Sequence, residues 1–182
     1  MSNALHPLSP PEFPAHLRAI LEQPYPRFSA PEMDRRRKAI ETAMSGSGVD
    51  HLVVYGANRF GGAVQWLTQW PITTEAACVV SPHTRDKLFI QYHNHVRQAG
   101  ILAREADVSW GGDFGLASTI EELRWRGARR DRVGVIGPLG FRPYAQLAES
   151  FGKIADLTPA YTRLRLIKST EEIERLMEVL RE

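Results

Sequence analysis

The chain has 182 residues, of which 43% are hydrophobic and 24% are charged, and 23 basic residues nearly balance 21 acidic ones. This composition is typical of a globular domain and excludes a disordered, collagen-like or fibrous chain. The single cysteine, Cys78, excludes an intrachain disulfide framework and a cysteine-rich zinc site. The sequence shows neither the basic stripe of a nucleic-acid binder, nor the ~18 apolar residues of a membrane span, nor a secretory signal pattern. We therefore expect no nucleic-acid partner, no membrane association and a cytoplasmic location.

The first 30 residues form a proline-rich segment. Seven of the 12 prolines lie within residues 1–31, and proline fixes φ and lacks the amide hydrogen that helices and central strands require. Residues 1–30 are therefore interpreted as an extended arm, with room for a short helix over residues 14–22. This arm is either a loosely attached leader or a segment that reaches a partner subunit.

The chain from Pro31 to Ala103 has a more regular pattern. Periodic apolar positions indicate a helix followed by a buried strand, and the turn after Ser81 indicates an antiparallel hairpin. The predicted elements are a helix over Pro31–Met44, a strand over Val49–Tyr55, a short helix or strand over Ala63–Thr68, the hairpin strands Thr74–Ser81 and Asp86–Tyr92, and a helix over Asn94–Ala103.

Beyond Ala103 the pattern alternates between strands and helices. The predicted elements are a strand over Asp107–Trp110, a helix over Ser118–Gly127, a strand over Arg132–Ile136, a helix over Phe141–Phe151, a strand or extended segment over Ala155–Tyr161, and a helix from Ser169 into Glu182. Ser118, with Glu121 three residues later, is expected to cap its helix. Helices and strands that alternate after a hairpin predict an α/β domain whose mixed sheet is covered by helices on both faces. A purely parallel, doubly wound sheet is the alternative.

His93 and His95 form the one local spacing that could bind a metal. On an extended backbone their rings would lie on the same side, and imidazole nitrogens are zinc ligands. A zinc site needs three or four ligands, and no neighbouring residue completes the set, so we interpret the pair as a polar strand end facing a cleft. Cys78, inside an apolar strand, is expected to be a buried, inert thiol. Trp66 and Trp70 are expected either to pack in the core or a subunit interface, or to line a ligand cleft.

The most specific pattern lies near the C-terminus, where residues 164–173 read LRLIKSTEEI. Physically it combines a strand exit, a capping box made by Ser169 and Glu172, and an amphipathic helix. The apolar side of that helix comprises Ile173, Leu176, Met177 and Leu180. The pattern resembles the segment that links the N-terminal and catalytic domains in the creatinase/prolidase (aminopeptidase P) family.

Other segments resemble the same family in the same order. Residues 36–54 resemble its opening segment, residues 132–135 resemble its R-I-G-V segment, and residues 155–157 resemble the chain that precedes the linker. Residues 64–70 resemble its Y-L-T-G segment, with Trp66 in place of the usual tyrosine and Gln69 in place of the usual glycine. The resemblance extends over residues 32–182.

The resemblance implies a fold and a domain organisation. Residues 31–168 are expected to form the family's N-terminal domain, a three-layer α/β/α unit with a mixed sheet and ribonuclease-H-like topology. Residues 169–182 are expected to begin a linker helix into a catalytic domain that lies beyond this chain. In the family's enzymes that domain holds divalent metal (Mn, Co or Zn), which activates water for hydrolysis. The present chain is therefore expected to contain no catalytic residue, no metal ligand and no cofactor.

The resemblance also implies a function. The chain would be the non-catalytic N-terminal domain of a creatinase/prolidase-like hydrolase, an Xaa-Pro peptidase or C–N hydrolase that acts on a peptide or small amide. Its role would be to form a homodimer and to roof the active site of the partner subunit. Trp70, in the loop Trp70–Glu75, and His93 are the substrate-contact candidates.

One departure from the family pattern and two alternatives qualify this function. The loop Trp70–Glu75 lacks the arginine of creatinase-like members, which speaks against a creatine-type substrate. The first alternative is a stand-alone peptide- or protein-binding module derived from the family. The second is a self-contained metalloenzyme centred on His93 and His95.

Overall fold

The computed structural model describes Pro14 and residues 27–57, 60, 62–112 and 115–180. The predicted proline-rich arm, residues 1–30, lies outside the described residues except for Pro14 and residues 27–30. The described ranges contain six strands and seven α-helices, and these follow the predicted order except that the helix over Thr158–Leu166 is not predicted. The strands are β1 (His51–Ala57), β2 (Glu75–Val80), β3 (Asp86–Ile90), β4 (Ala106–Trp110), β5 (Val133–Ile136) and β6 (Ile154–Asp156). The helices are α1 (Ala30–Gly46), α2 (Gly62–Thr68), α3 (Val96–Leu102), α4 (Gly115–Trp125), α5 (Phe141–Phe151), α6 (Thr158–Leu166) and α7 (Thr170–Val179).

One six-stranded sheet joins the strands in the order β4-β3-β2-β1-β5-β6. Strand β2 pairs antiparallel with both β1 and β3, whereas the other neighbouring strands pair in parallel. The sheet is therefore mixed, as predicted, and the purely parallel alternative is wrong. The antiparallel meander β1–β2–β3, continued on the other side of β1 by parallel β5 and β6, is the predicted ribonuclease-H-like topology.

Helices cover both faces of the sheet, because successive strand residues point to opposite faces and are apolar on both. On the first face, Leu52 and Val54 of β1 pack with residues of α1, α2, α3 and α6. On the second face, Val53 and Tyr55 pack with residues of α4 and α5. The three-layer α/β/α architecture is thereby confirmed. No helix in the described ranges is long and apolar enough to cross a membrane.

The segment predicted as strand or extended chain, Ala155–Tyr161, divides into two elements. Strand β6 ends at Asp156 and helix α6 begins at Thr158. A side-chain oxygen of Asp156 accepts a hydrogen bond from the Thr158 amide at 2.8 Å, and Pro159 occupies the first turn of α6, where its fixed φ suits the helix. The predicted strand exit at residues 164–166 is therefore wrong, since these residues lie in α6.

Helix α4 begins earlier than predicted. It starts at Gly115, so Ser118 lies inside the first turn and is not the predicted N-cap. The Ser118 hydroxyl instead donates a hydrogen bond to the carbonyl of Gly111 at 3.1 Å. The burial of Leu116 against the sheet draws the earlier residues into the helix. The predicted helix Asn94–Ala103 is also divided, into a 3₁₀ turn over residues 93–95 and the short helix α3.

Candidate functional site

The aromatic and polar features of interest lie along one edge of the sheet. Because β1, β3, β4, β5 and β6 run in the same direction, their carboxyl ends share this edge, which we call the carboxyl edge. In open α/β sheets, ligands bind outside the carboxyl ends of parallel strands. Both predicted contact residues belong to this edge, since Trp70 lies in the loop that enters β2 and His93 follows the end of β3.

His93 lies on the surface of the carboxyl edge and packs against Trp110 at the end of β4. Their ring centroids are 5.7 Å apart and their planes meet at 89°, which is an edge-to-face contact. The Trp110 indole donates a hydrogen bond to the carbonyl of Gln91 at 2.8 Å, while 51% of the residue stays exposed. Tyr92 packs edge-to-face on His95 with ring centroids 5.5 Å apart. We call Tyr92, His93, His95 and Trp110 the aromatic rim.

The aromatic rim offers apolar faces together with polar ring atoms. A half-exposed indole held by a hydrogen bond can pack against a small apolar ring of a ligand. The exposed imidazole of His93 has one ring nitrogen that can donate and one that can accept a hydrogen bond. The role of His93 as a substrate contact stays a prediction. Sequence reasoning missed Trp110, although a tryptophan at the end of a short strand was an available signal.

Trp70 lies in the core of the domain. It is 6% exposed and belongs to the apolar cluster on the first face. Its ring centroid lies 5.9 Å from that of His95, so Trp70 supports the aromatic rim from beneath. Trp66 is buried in the same cluster. Core packing is therefore confirmed for both tryptophans, and a contact between Trp70 and substrate stays a prediction.

Gln69 lies at the position where the Y-L-T-G segment of the resembled family has a glycine. The backbone conformation of Gln69 is one that favours glycine. Its φ of 64° lies in the left-handed region that glycine adopts without strain. The side-chain oxygen of Gln69 accepts a hydrogen bond from the amide of Phe28 at 2.7 Å. This bond ties the segment before α1 to the end of α2 and offsets part of the strain. Gln69 is thus a non-glycine residue at a position whose backbone conformation favours glycine.

The histidine pair does not form the extended arrangement that metal binding would need. His93 and His95 lie in a 3₁₀ turn, and their rings contact different aromatic partners. Among the residues described here, no group of three or more His, Cys, Asp or Glu side chains is arranged to hold a metal ion. Cys78 is fully buried, as predicted, and burial raises the pKa of its thiol.

A groove of about 1040 Å³ runs between α4 and α5 on the second face, with Tyr55 in its floor. The carboxylate of Glu75 lies beside the Tyr55 hydroxyl and the backbone of Gly115. Burial raises the pKa of Glu75, and burial together with the charge of Glu75 raises the pKa of Tyr55 to about 12. The sequence analysis placed Glu75 at the end of the loop Trp70–Glu75 and in the predicted strand Thr74–Ser81, and gave it no functional role. The available signal was a single acidic residue at the start of an apolar strand.

Glu172 connects the C-terminal signature to the rest of the domain. Its carboxylate and amide complete the predicted capping box with Ser169, through bonds of 3.0 and 3.1 Å. The same carboxylate accepts hydrogen bonds from the Trp66 indole and the Arg36 guanidinium, both at 3.0 Å. Arg36 also donates to Glu32 at 2.6 Å and to the carbonyl of Trp66 at 2.8 Å. We call Glu32, Arg36, Trp66 and Glu172 the anchor cluster.

The comparisons with known proteins bear on this arrangement. No family model matches the sequence, and no curated protein matches it either. Solved structures do match. The Xaa-Pro dipeptidase from Bacillus anthracis superimposes with a TM-score of 0.65 at 16% identity, over 78% of this chain and 38% of that one. A proline dipeptidase from Streptococcus pneumoniae gives 0.59 at 22% identity, over 73% of this chain and 98% of that one. The N-terminal, creatinase/prolidase-like domain of a candidate metallopeptidase from Corynebacterium diphtheriae gives 0.53 at 14% identity, over 68% and 93%.

The chain has the fold of a creatinase/prolidase N-terminal domain. The expected resemblance to this domain and the expected α/β fold class are thereby confirmed. This creatinase/prolidase-like domain spans 38% of the length of the Bacillus anthracis dipeptidase. At these identities the likeness is one of fold.

The anchor cluster joins three widely spaced segments of this creatinase/prolidase-like domain. Arg36 comes from the opening segment, Trp66 from the Y-L-T-G-like segment and Glu172 from the linker-like segment, and they meet in the fold. The Arg36 side chain is 1% exposed, and the ring of Phe28 lies 3.8 Å from its guanidinium carbon. Burial by itself raises the pKa values of Glu32 and Glu172. Hydrogen bonds and the charge of Arg36 outweigh burial, and they hold the pKa of Glu172 below its usual range and that of Glu32 at about 2.

The opposite side of α7 is apolar and exposed in this creatinase/prolidase-like domain. The predicted amphipathic helix is confirmed over Thr170–Val179, and the predicted end at residues 181–182 lies outside the described residues. The exposed apolar residues are Leu166 and Ile167 before the helix, Ile173, Leu176 and Met177 within it, and Leu180 at its end. We call these six residues the α7 apolar surface.

Proposed function

We propose that this chain is the non-catalytic N-terminal domain of a creatinase/prolidase-like hydrolase, with an Xaa-Pro peptidase as the first choice. The observation that carries the proposal is the fold shared with the Xaa-Pro dipeptidase from Bacillus anthracis over 38% of that enzyme's length. In this proposal the reaction belongs to a further domain. That domain, and not the residues described here, would hold the divalent metal (Mn, Co or Zn) that activates water.

The α7 apolar surface supports a linker role for α7. The anchor cluster holds the polar side of the helix on the domain, while Leu176, Met177 and Leu180 are 55%, 47% and 80% exposed on the other side. A helix with one apolar side is stable in water when that side is covered, and contiguous exposed apolar residues mark interaction surfaces. A following domain of the same polypeptide would cover them.

The carboxyl edge is the surface that we propose for the roof of a partner subunit's active site. Its aromatic rim suits a peptide or small amide substrate, because the Trp110 indole can pack on an apolar ring and His93 can form a hydrogen bond. The roof requires a homodimer, in which each copy covers the site of the other. The homodimer and the cytoplasmic location of the enzyme remain parts of this proposal.

The reading frame is the first test of the proposal. Sequencing the gene beyond the codon for Glu182 should reveal a domain with the two Asp, one His and two Glu that hold metal in the family's enzymes. The resulting protein should hydrolyse an Xaa-Pro dipeptide in the presence of Mn²⁺ and sediment as a dimer. A stop codon directly after Glu182 would overturn the enzyme proposal and favour the stand-alone binding module.

The role of the rim is tested by paired histidine variants of the full-length enzyme. His93→Ala should lower kcat/KM by about tenfold, the equivalent of one lost hydrogen bond to the substrate. His83→Ala is the matched control, since His83 is an exposed histidine in the β2–β3 turn at the opposite edge of the sheet. Equal kcat/KM values for His93→Ala and the unmodified enzyme would rule out the contact, whatever the fate of the rest of the proposal.

A further inference from the structure

A second cleft opens on the carboxyl edge between β1 and β5. These strands are parallel neighbours, yet the chain leaves β1 for α2 on the first face and leaves β5 for α5 on the second face. Adjacent parallel strands with diverging connections form a topological switch point, the place where open α/β sheets bind ligands. The cleft here has a volume of about 440 Å³, within the range of ~300–1,000 Å³ that is common for small-molecule sites.

Apolar residues form part of the lining of the switch-point cleft, and Phe60 and Pro138 among them are exposed. Phe60, Ile136 and Pro138 line it, and Phe60 is 72% exposed. The backbone of Gly137, in the lining of the cleft, requires a glycine, since its φ is 111° and a Cβ there would collide with the carbonyl oxygen of Tyr55. A phenyl ring exposed beside a concave surface offers apolar area for a ligand to bury.

The polar groups of the cleft are suited to an anion. Arg165 donates a hydrogen bond to the Tyr161 hydroxyl at 3.1 Å, which holds its guanidinium beside the cleft. The Thr158 hydroxyl accepts a hydrogen bond from the Gly137 amide at 3.2 Å and can donate its own hydrogen to a ligand. Within the described part of the chain, Arg165 takes part in none of the ion pairs.

The charged groups on the chain next to the cleft are of both signs. Arg163, Arg165 and Lys168 lie in or directly after α6, whereas Asp156 lies before it, where its carboxylate accepts a hydrogen bond from the Thr158 amide at 2.8 Å. Among the described residues that line the cleft, Arg165 carries the only charged side chain. A cation in a concave surface attracts anions into it.

We propose that the switch-point cleft binds a small organic carboxylate with an aromatic or aliphatic body. The carboxylate pairs with Arg165, whose planar guanidinium matches its two oxygens, and accepts a hydrogen bond from Thr158. The body of the ligand lies against Phe60 and Pro138. Three strand spacings, roughly 14 Å, separate this cleft from the aromatic rim, so it is a separate site from the proposed roof.

The test uses the 182-residue chain and benzoate as the probe. Titration followed by amide nuclear magnetic resonance should show saturable shifts centred on Gly62, Gly137 and Thr158, with a Kd of about 1 mM for a ligand of this size. Benzyl alcohol, which has the same ring without the carboxylate, should bind at least about tenfold more weakly. Equal binding of the two ligands would overturn carboxylate recognition, and a lack of saturable shifts with benzoate would overturn the site.

Variants assign the binding to the named residues. Arg165→Gln should weaken benzoate binding by about tenfold or more, whereas Arg163→Gln, an exposed arginine two residues away on the same helix, should leave it within about twofold. Equal losses in both variants would mean general attraction of ions and would overturn the pairing. Phe60→Ala is a second variant that removes no core contact, and it should also weaken binding. His93→Ala should leave benzoate binding unchanged, which separates this result from the test of the roof.

Discussion

Replacing Arg36 with methionine tests whether the anchor cluster holds α7 on the domain. Methionine keeps an unbranched side chain of similar length and removes the charge, so Glu32 and Glu172 lose their shared guanidinium. The side chains of these two carboxylates are only 4% and 11% exposed. Removing one partner of a buried ion pair costs about 3–5 kcal/mol. Arg35 lies 2.7 Å from Glu32 and 3.5 Å from Glu172 and offsets part of this cost, so we expect about 3 kcal/mol.

Urea unfolding of the variant and the unmodified chain measures this cost. A loss of about 3 kcal/mol corresponds to a melting temperature lower by about 6–12 °C for a domain of this size, and hydrogen exchange in α7 should accelerate. Lys38→Met is the matched control, because Lys38 is an exposed cation on the same helix, and it should change stability by less than about 0.5 kcal/mol. If Arg36→Met costs no more than Lys38→Met, the anchor cluster does not hold α7 and the reasoning is refuted.

Single contacts elsewhere lead to three further expectations. The pKa of Glu32 is about 2 in the folded chain against 4.5 ordinarily, so its contribution to stability should be lost as pH falls from about 5 to about 2. In urea unfolding, the free energy of unfolding of Glu32→Gln should therefore decrease less over this pH range than that of the unmodified chain. An equal decrease in both would contradict this expectation. Gly137→Ala should lower the free energy of unfolding by more than about 3 kcal/mol, because its Cβ would collide with Tyr55. Gly100→Ala, with open space around it, should raise the free energy of unfolding by about 0.5–1 kcal/mol. Similar melting temperatures for the two variants would argue against the close approach of Gly137 to Tyr55. Ser169→Ala should cost about 1 kcal/mol through loss of the capping box, and an unchanged unfolding midpoint would show that Glu172 alone secures the start of α7.

The elements with local signals are the ones that the sequence predicts well. Helix α5 is predicted to the residue, because its apolar spacing and the glycine at Gly152 are read within one short window. Helix α6 is missed, because Asp156, Thr158 and Pro159 are typical of a loop as well as of a helix start. The tertiary structure decides between the two by burying Tyr161 against the first face of the sheet.

The candidate site is predicted only in part, for a related reason. His93 was identified from its place at a strand end, and the fold does bring it to the carboxyl edge. Trp110, its ring partner, comes from a different strand, and pairing β4 with β3 brings the two together. No local pattern encodes which strands become neighbours, because that depends on how apolar surfaces from the whole chain fit together.

From sequence alone, the alternation of helices and strands, the apolar run of β1 and the capping box at Ser169 could be determined, because each depends on residues close together in the chain. The resemblance to the creatinase/prolidase family could be determined as well, because it consists of short segments in a fixed order. Only the tertiary structure decided that Arg36 and Glu172, 136 positions apart, share one buried contact. It also decided that the switch-point cleft opens between β1 and β5. The contact depends on how two helices far apart in the chain pack on the domain, and the cleft depends on which strands become neighbours in the sheet, so both are selected by the packing of all three layers at once.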